Sequence, residues 1–197
     1  MSEKTKNNLY GLTLEQLESL CQQHSLPRFA AKQIARWLYV RRVSDIDQMT
    51  DQSKATRQLL KEHYDLGLSS PLKESVSADG TKKYLFRTSQ GEYIESAYIP
   101  DGDRATLCVS SQAGCRMGCR FCASTIGGLY RSLTAGEILN QVIFAQKDMG
   151  ERISNIVLMG IGEPLDNYEN VVKFLHNVNH EKGLNIGLRH ITLSTCG

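Results

Sequence analysis

Apolar positions over the first 68 residues recur at three- and four-residue intervals, the period of helices that each bury one stripe. Thr13 followed by Gln16 forms a capping box, so a first helix begins there and carries Leu14, Leu17 and Leu20. Past Pro27, residues 28–40 put Phe29, Ile34, Trp37 and Leu38 roughly on one face, with Trp37 expected in a small core. A third helix is expected over residues 52–63, with Ala55, Leu59 and Leu60 as its apolar positions. Short connections between the three predict a small helical bundle.

Beyond this the period falls to two. Residues 81–88 and 92–99 are rich in strand formers and flank Ser89-Gln90-Gly91, the pattern of a β-hairpin. From Ala105 onward strands and helices alternate. A strand over 105–109 leads to a cysteine-rich loop, and a helix runs from near Thr134 to near Met149-Gly150. A strand over 153–159, a Gly-rich turn, a helix over 168–179 and a strand over 190–194 follow. Such succession means parallel βα units. The expected class is α/β, with a helical accessory domain over 1–70, a hairpin linker over 71–100 and the first half of a βα core over 101–197. A closed (β/α)8 barrel takes about 250 residues, so three βα strands predict a partial barrel, cut in mid-domain, with an unpaired edge and uncovered apolar surface.

Composition narrows the class. The 197 residues are 41% hydrophobic and 22% charged, with a net charge of +2. That is an ordinary globular balance, and the whole-chain charge argues weakly for nucleic acid. No run of about 18 apolar residues could span a membrane, and the polar start Met1-Ser2-Glu3-Lys4-Thr5-Lys6 lacks the apolar stretch of a secretory signal. A cytoplasmic location is expected.

Six cysteines are present, at 21, 108, 115, 119, 122 and 196. Cys115, Cys119 and Cys122 follow the spacing C-x3-C-x2-C, too crowded for disulfides and natural for a metal. A cubane iron–sulfur cluster takes four ligands, so three thiolates leave one iron open to a substrate or cofactor. A zinc site needs a fourth ligand, and His176 and His180 lie far downstream, better explained as a helix face. A redox reading of Cys119-x-x-Cys122 leaves Cys115 without a role. The cluster accounts best for all three thiols.

Longer stretches surround the triplet: Arg104-Ala-Thr-Leu-Cys-Val-Ser-Ser-Gln-Ala-Gly-Cys115 before it and Ala123-Ser-Thr-Ile-Gly-Gly128 after it. Further on come Leu158-Met-Gly-Ile-Gly-Glu-Pro-Leu165 and Thr192-Leu-Ser-Thr-Cys-Gly197, and near the start Ala31-Lys-Gln-Ile-Ala-Arg-Trp-Leu38. In these the chain resembles the radical-SAM superfamily. More closely, it resembles the RlmN group of adenine-C2 methyltransferases of 23S ribosomal RNA and their C8-methylating Cfr relatives. The resemblance extends over essentially the whole chain. It implies a radical-SAM partial barrel after the helical domain and hairpin, a [4Fe-4S] cluster on Cys115, Cys119 and Cys122, and S-adenosyl-L-methionine contacted by Gly162, Glu163 and Ser194. It also implies Glu95 as proton acceptor at adenine C2 and Cys108 as the thiol that releases a protein–RNA adduct by forming a disulfide.

Carbon C2 of adenine is a poor nucleophile, and the implied chemistry avoids displacement. Reductive cleavage of S-adenosylmethionine gives a radical that activates a cysteine-borne methyl group, whose carbon then adds to the base. The methyl-carrying cysteine belongs to the family's C-terminal half and has no counterpart here, since Cys196 sits in the third-strand motif; the chain alone is expected to be inactive. The implied partners are 23S rRNA, transfer RNA as a further candidate and an external electron donor, with a monomer as the full-length form.

Taken by themselves, the same residues admit plainer readings. Gly160-x-Gly162 suits the start of a helix and, with Pro164 in the turn, does not fit a dinucleotide fingerprint. Glu95 suits a solvated hairpin position, Cys108 a small buried strand residue, and Ser194 a cap or turn. Arg28, Lys32 and Arg36, followed by Arg41 and Arg42, suit either phosphate contacts or a solvated helix face. Another radical-SAM activity, or a non-catalytic metal-binding RNA module, are the competing functions.

Overall fold

The computed structural model describes residues 6–181 and 183–197; the polar start examined for a secretory signal lies, apart from Lys6, outside them. A two-residue strand β1 (Asn7–Asn8) pairs in parallel with β2 (Tyr64–Asp65) and ties the ends of the helical unit together. Helix α1 (Leu14–Gln23) has the predicted capping box: the Gln16 N–H donates to Thr13 Oγ1 at 3.3 Å and the Thr13 N–H to Gln16 Oε1 at 3.0 Å. Helix α2 (Arg28–Ala35) runs into a π-helical turn, Arg36–Val40, where the Arg41 N–H reaches back to the Arg36 carbonyl. Helix α3 (Lys54–His63) is capped by Ser53 and buries Leu60, while Ala55 stays in solvent.

The predicted face of the second helix is partly corrected. Ile34 and Leu38 are buried, but Phe29 is 64% exposed and Ala30 and Ala31 take the inner stripe. Small side chains there let α2 lie close against α1, and a phenylalanine would hold them apart. Trp37 is partly buried and packs against the core from outside. It sits at the rim, with Nε1 donating to Asp51 at 2.5 Å and the Arg41 guanidinium over its ring at 5.2 Å.

The sheet begins with β3 (Lys73–Val76), β4 (Lys82–Arg87), β5 (Tyr93–Asp101) and β6 (Arg104–Cys108), each antiparallel to the last. Every residue of β3 is exposed, so no apolar period announced it. A short antiparallel ribbon follows, β7 (Gln112–Gly114) with β8 (Leu129–Ser132). Then come α4 (Ala135–Met149), β9 (Asn155–Leu158), α5 (Tyr168–Asn179) and β10 (Ile191–Leu193). The six-stranded order is β10-β9-β6-β5-β4-β3, with β6, β9 and β10 mutually parallel. The hairpin strands therefore continue the βα sheet directly.

Alternation along the strands gives the sheet two unlike faces. One carries Tyr84, Phe86, Tyr98, Leu107 and Ile156, all buried; Phe144 of α4 meets Tyr84 and Phe86 edge-on at 5.5 and 5.6 Å. Its apolar side chains belong to one continuous core that also takes in the helical unit. The other face presents Lys83, Glu95, Ala97, Thr106, Cys108, Val157 and Thr192, none of them fully buried. Among the described residues no helix is long and apolar enough to cross a membrane.

Candidate functional site

The three parallel strands end at one edge of the sheet, and the loop after each carries one of the sequence motifs. After β6, the ribbon β7–β8 forms the base of the cysteine loop. Gly114 there has φ +73°, and a Cβ at this position would run into the Gly128 carbonyl, so only glycine lets the two strands close. The Cys115 N–H donates to that same carbonyl at 3.0 Å. Cys115 is buried, while Cys119 and Cys122 are half-buried and joined by a turn in which the Cys122 N–H donates to the Cys119 carbonyl at 3.0 Å. At the tip, Phe121 and Ile126 stand 94% and 87% exposed.

After β9, the Gly160–Glu163 turn packs on the strand that leads into the cysteine loop. Gly162 has φ +107°, and a Cβ there would come within 2.5 Å of Gln112 Cβ. The glycine for which the resemblance implied a cofactor contact is required first by the protein's own packing. Glu163 is buried. Its Oε1 accepts the Leu165 N–H and its Oε2 the Cys196 N–H, both at 3.0 Å. Burial pushes this carboxyl up, but those two N–H groups, with the Thr195 and Cys196 side chains, outweigh it and hold Glu163 below its ordinary value. The Cys196 thiol is raised in turn, first by its bond to Glu163. Ser194, after β10, is exposed at the same edge, its N–H 3.5 Å from the Leu158 carbonyl.

Glu95 and Cys108 both point to the open face. Cys108 lies opposite Ala97 in the register of β5 and β6, and Glu95 is two residues from Ala97, hence on the same side. Glu95 is half-exposed and paired with Lys83 Nζ at 3.2 Å. Burial raises the Cys108 thiol, with the Met159 N–H offsetting part of the effect, so it stays protonated at neutral pH. The structure thus brings the cysteine loop, the Gly-Glu turn and Ser194 to one edge and sets Glu95 and Cys108 on the face beneath it.

All six cysteines are free thiols, so the expected disulfide chemistry has no pre-formed bond in this chain. Among the described residues no three His, Cys, Asp or Glu side chains gather as they would around one metal ion. Cys196, after β10, lies near enough to Cys119 for their charges to interact, while Cys115, Cys119 and Cys122 share one loop in the C-x3-C-x2-C spacing of a cluster with one open iron. Cys115, Cys119 and Cys122 would hold it.

Two features escaped the sequence reading. Gln112, fully buried, links the two loops, with Oε1 accepting the Glu163 N–H at 2.9 Å. Arg131 grips Glu137 through both terminal nitrogens, at 2.6 and 2.9 Å, and Glu92 through Nε at 3.0 Å. This network joins β8, the start of α4 and the hairpin turn, where Thr88 also donates to Glu92. The only local signal was Thr134 ahead of Glu137, a capping box, which hides the carboxylate's second partner.

Comparison with known proteins agrees with this geometry. Residues 7–66 match the family model "Ribosomal RNA large subunit methyltransferase N-terminal domain" and residues 109–197 match "Radical SAM superfamily". A protein of Clostridium novyi named "Probable dual-specificity RNA methyltransferase RlmN" is 50% identical over 191 residues, 96% of this chain and 56% of its own length. A protein of the same name from Bacteroides fragilis is 49% identical over 192 residues, 98% of this chain and 55% of its own length. The crystal structure of a radical SAM methyltransferase from Sphaerobacter thermophilus superposes with a TM-score of 0.89 at 42% identity, covering 97% of this chain and 57% of that one. The chain spans about half the length of the curated relatives it matches. Its two matched segments, its fold and its cysteine loop place it in the RlmN family of radical-SAM proteins.

Proposed function

We propose that this chain forms the cluster- and cofactor-binding part of a radical-SAM methyltransferase acting on C2 of an adenine in 23S rRNA, with transfer RNA as a second substrate. The observation that carries the reading is the convergence of three loops at the carboxyl ends of β6, β9 and β10, above an open sheet face that holds Glu95 and Cys108. Ligands of open α/β sheets bind at that edge.

When bound, the [4Fe-4S] cluster and S-adenosyl-L-methionine supply radical chemistry at carbon that no acid or base in the chain could supply. The chain's own residues do the rest. Cys115, Cys119 and Cys122 hold the cluster, and Gly162, Glu163 and Ser194 orient the cofactor. Glu95 takes the proton from adenine C2; its pairing with Lys83 is exposed, so the carboxylate can swing free of that partner. Cys108, kept as a thiol, loses its proton and attacks the sulfur of the cysteine that carries the base. The sulfur–carbon bond breaks, its electron pair stays on the methylene carbon, which takes a proton to become the product's methyl group, and the two sulfurs end as a disulfide. The helical unit contacts RNA through Arg28 and Lys32 on α2 and Arg36 at the start of the π-helical turn, all outside the core. An external reductant feeds the cluster, and the full-length protein works as a monomer in the cytoplasm.

The test is iron and sulfide content after anaerobic reconstitution. About four irons per chain are expected, and the Cys115→Ala, Cys119→Ala, Cys122→Ala triple variant should lose them. Soluble, folded chain carrying zinc in place of iron would instead favour a structural metal module.

A further inference from the structure

Gln112 lies between the loop assigned to the cluster and the turn assigned to S-adenosylmethionine, and its amide is engaged on both sides. Oε1 accepts the Glu163 N–H at 2.9 Å, while Nε2 donates to Asp166 Oδ2 at 2.8 Å and to Ser132 Oγ at 3.2 Å. The same Asp166 oxygen accepts Arg116 Nε at 3.0 Å, and Arg116 is the residue after the first cysteine of the loop. One buried side chain therefore bonds the end of the turn, the far side of the loop's base and, through Asp166, the loop itself. The backbone adds a second tie, since the Ser111 and Gln112 N–H groups both donate to the Ile161 carbonyl, at 2.9 and 3.1 Å.

An apolar side chain of the same volume would fill the site without leaving Gln112's own polar atoms behind, so packing does not explain an amide here. What the amide adds is direction. Its acceptor aims the Glu163 peptide, and its donors aim Asp166, the partner of Arg116. A ligand that must touch both an iron held by the loop and the Gly-Glu turn is sensitive to the offset between them, and errors of about 1 Å are costly.

We propose that Gln112 is a positioning residue. Through Glu163 on one side and the Asp166–Arg116 pair on the other, it sets the offset between the cysteine loop and the Gly160–Glu163 turn, and so the affinity of the loaded chain for S-adenosylmethionine. The inference rests on the function proposed above.

The test uses the full chain, reconstituted anaerobically, and reads three things: iron and sulfide content, thermal melting, and equilibrium binding of S-adenosylmethionine with the accompanying change in the electron paramagnetic resonance of the reduced cluster. Gln112→Glu keeps the volume and an acceptor for the Glu163 N–H, but it cannot donate to Asp166 and puts a second carboxylate beside it. It should keep its iron and weaken binding by about tenfold or more, the scale seen when supporting partners of a metal site are removed. The double variant Gln112→Glu, Asp166→Asn restores a donor–acceptor pair in the reverse sense and should recover binding to within about threefold of the parent. Parental binding by Gln112→Glu, or a double variant no better than it, overturns the assignment. If Gln112→Glu does not melt cooperatively, Arg116→Ala at the exposed end of the relay decides: about threefold weaker binding with an unchanged melt is expected, and unchanged binding overturns the proposal. A parent chain that takes up no cluster, or binds no S-adenosylmethionine, would instead sink the proposed function itself.

Discussion

The base of the cysteine loop and its tip lie a few residues apart and are built by opposite means. At the base, the ribbon β7–β8 is closed by Gly114 against Gly128, Gln112 has every amide position engaged, and Arg131 is bonded to two carboxylates. At the tip, Cys119 and Cys122 are held by one local turn, and Phe121 and Ile126 project into solvent. The base is complete from protein atoms alone. The tip has apolar surface and thiols without protein partners sufficient to bury them, as expected where a bound group completes the site. The difference separates the energy that folds the site from the energy that binds its ligand.

That division can be broken first at Arg131. Its removal leaves Glu92 and Glu137 with their charges largely shielded from water and their main partner gone. Arg131→Ala should cost about 3 kcal/mol or more and lower the melting temperature by about 6–12 °C for a chain of this size. A melt within about 2 °C of the parent would mean that the base does not depend on this network.

A smaller effect should appear in the pH dependence of stability. Burial raises the Glu137 carboxyl, but Arg131 and the Thr134 N–H outweigh it and hold the group below its ordinary value of 4.5. Glu163 is depressed in the same direction. A depressed carboxyl contributes stability that is fully present above the unfolded value and lost as pH falls through the folded one. Melting temperature should therefore hold steady from neutral pH to about 4.5 and fall below it. In Glu137→Gln the neutral-pH melt should drop and the acid limb flatten; an acid limb as steep as the parent's would remove Glu137 from the account.

The smallest effect belongs to the tip. Phe121→Ala and Ile126→Ser remove side chains that pack on little, so each should change stability by less than about 0.5 kcal/mol in the metal-free chain. A destabilisation of about 2 kcal/mol by either would erase the contrast between base and tip.

How much of this was legible beforehand depends on the range over which each feature is decided. Thr13 with Gln16 is a contact within one turn, the fourth helix starts after Thr134 as expected, and the bounds expected for α5 are those observed. The hairpin about Ser89-Gln90-Gly91 was equally local, with Arg87 opposite Tyr93 closing it. Where local pattern was thin, expectation failed. Phe29 was placed inward although α1 needed the smaller alanines there, and β3 carries no buried residue to signal a strand. Gln112 and Glu163 meet across 51 positions and Arg131 and Glu92 across 39, distances at which neither residue type advertises a partner.

By itself, then, the sequence determined the helices, the hairpin, the βα order and a three-thiol loop, because capping, turn chemistry and ligand spacing act over a few residues. Only the tertiary structure decided that Glu95 and Cys108 share one face, that Gly162 is needed against Gln112, and that the loop and turn are locked together. Those outcomes follow from strand register and from which loops end at the same edge, and both are fixed when distant segments pair into one sheet.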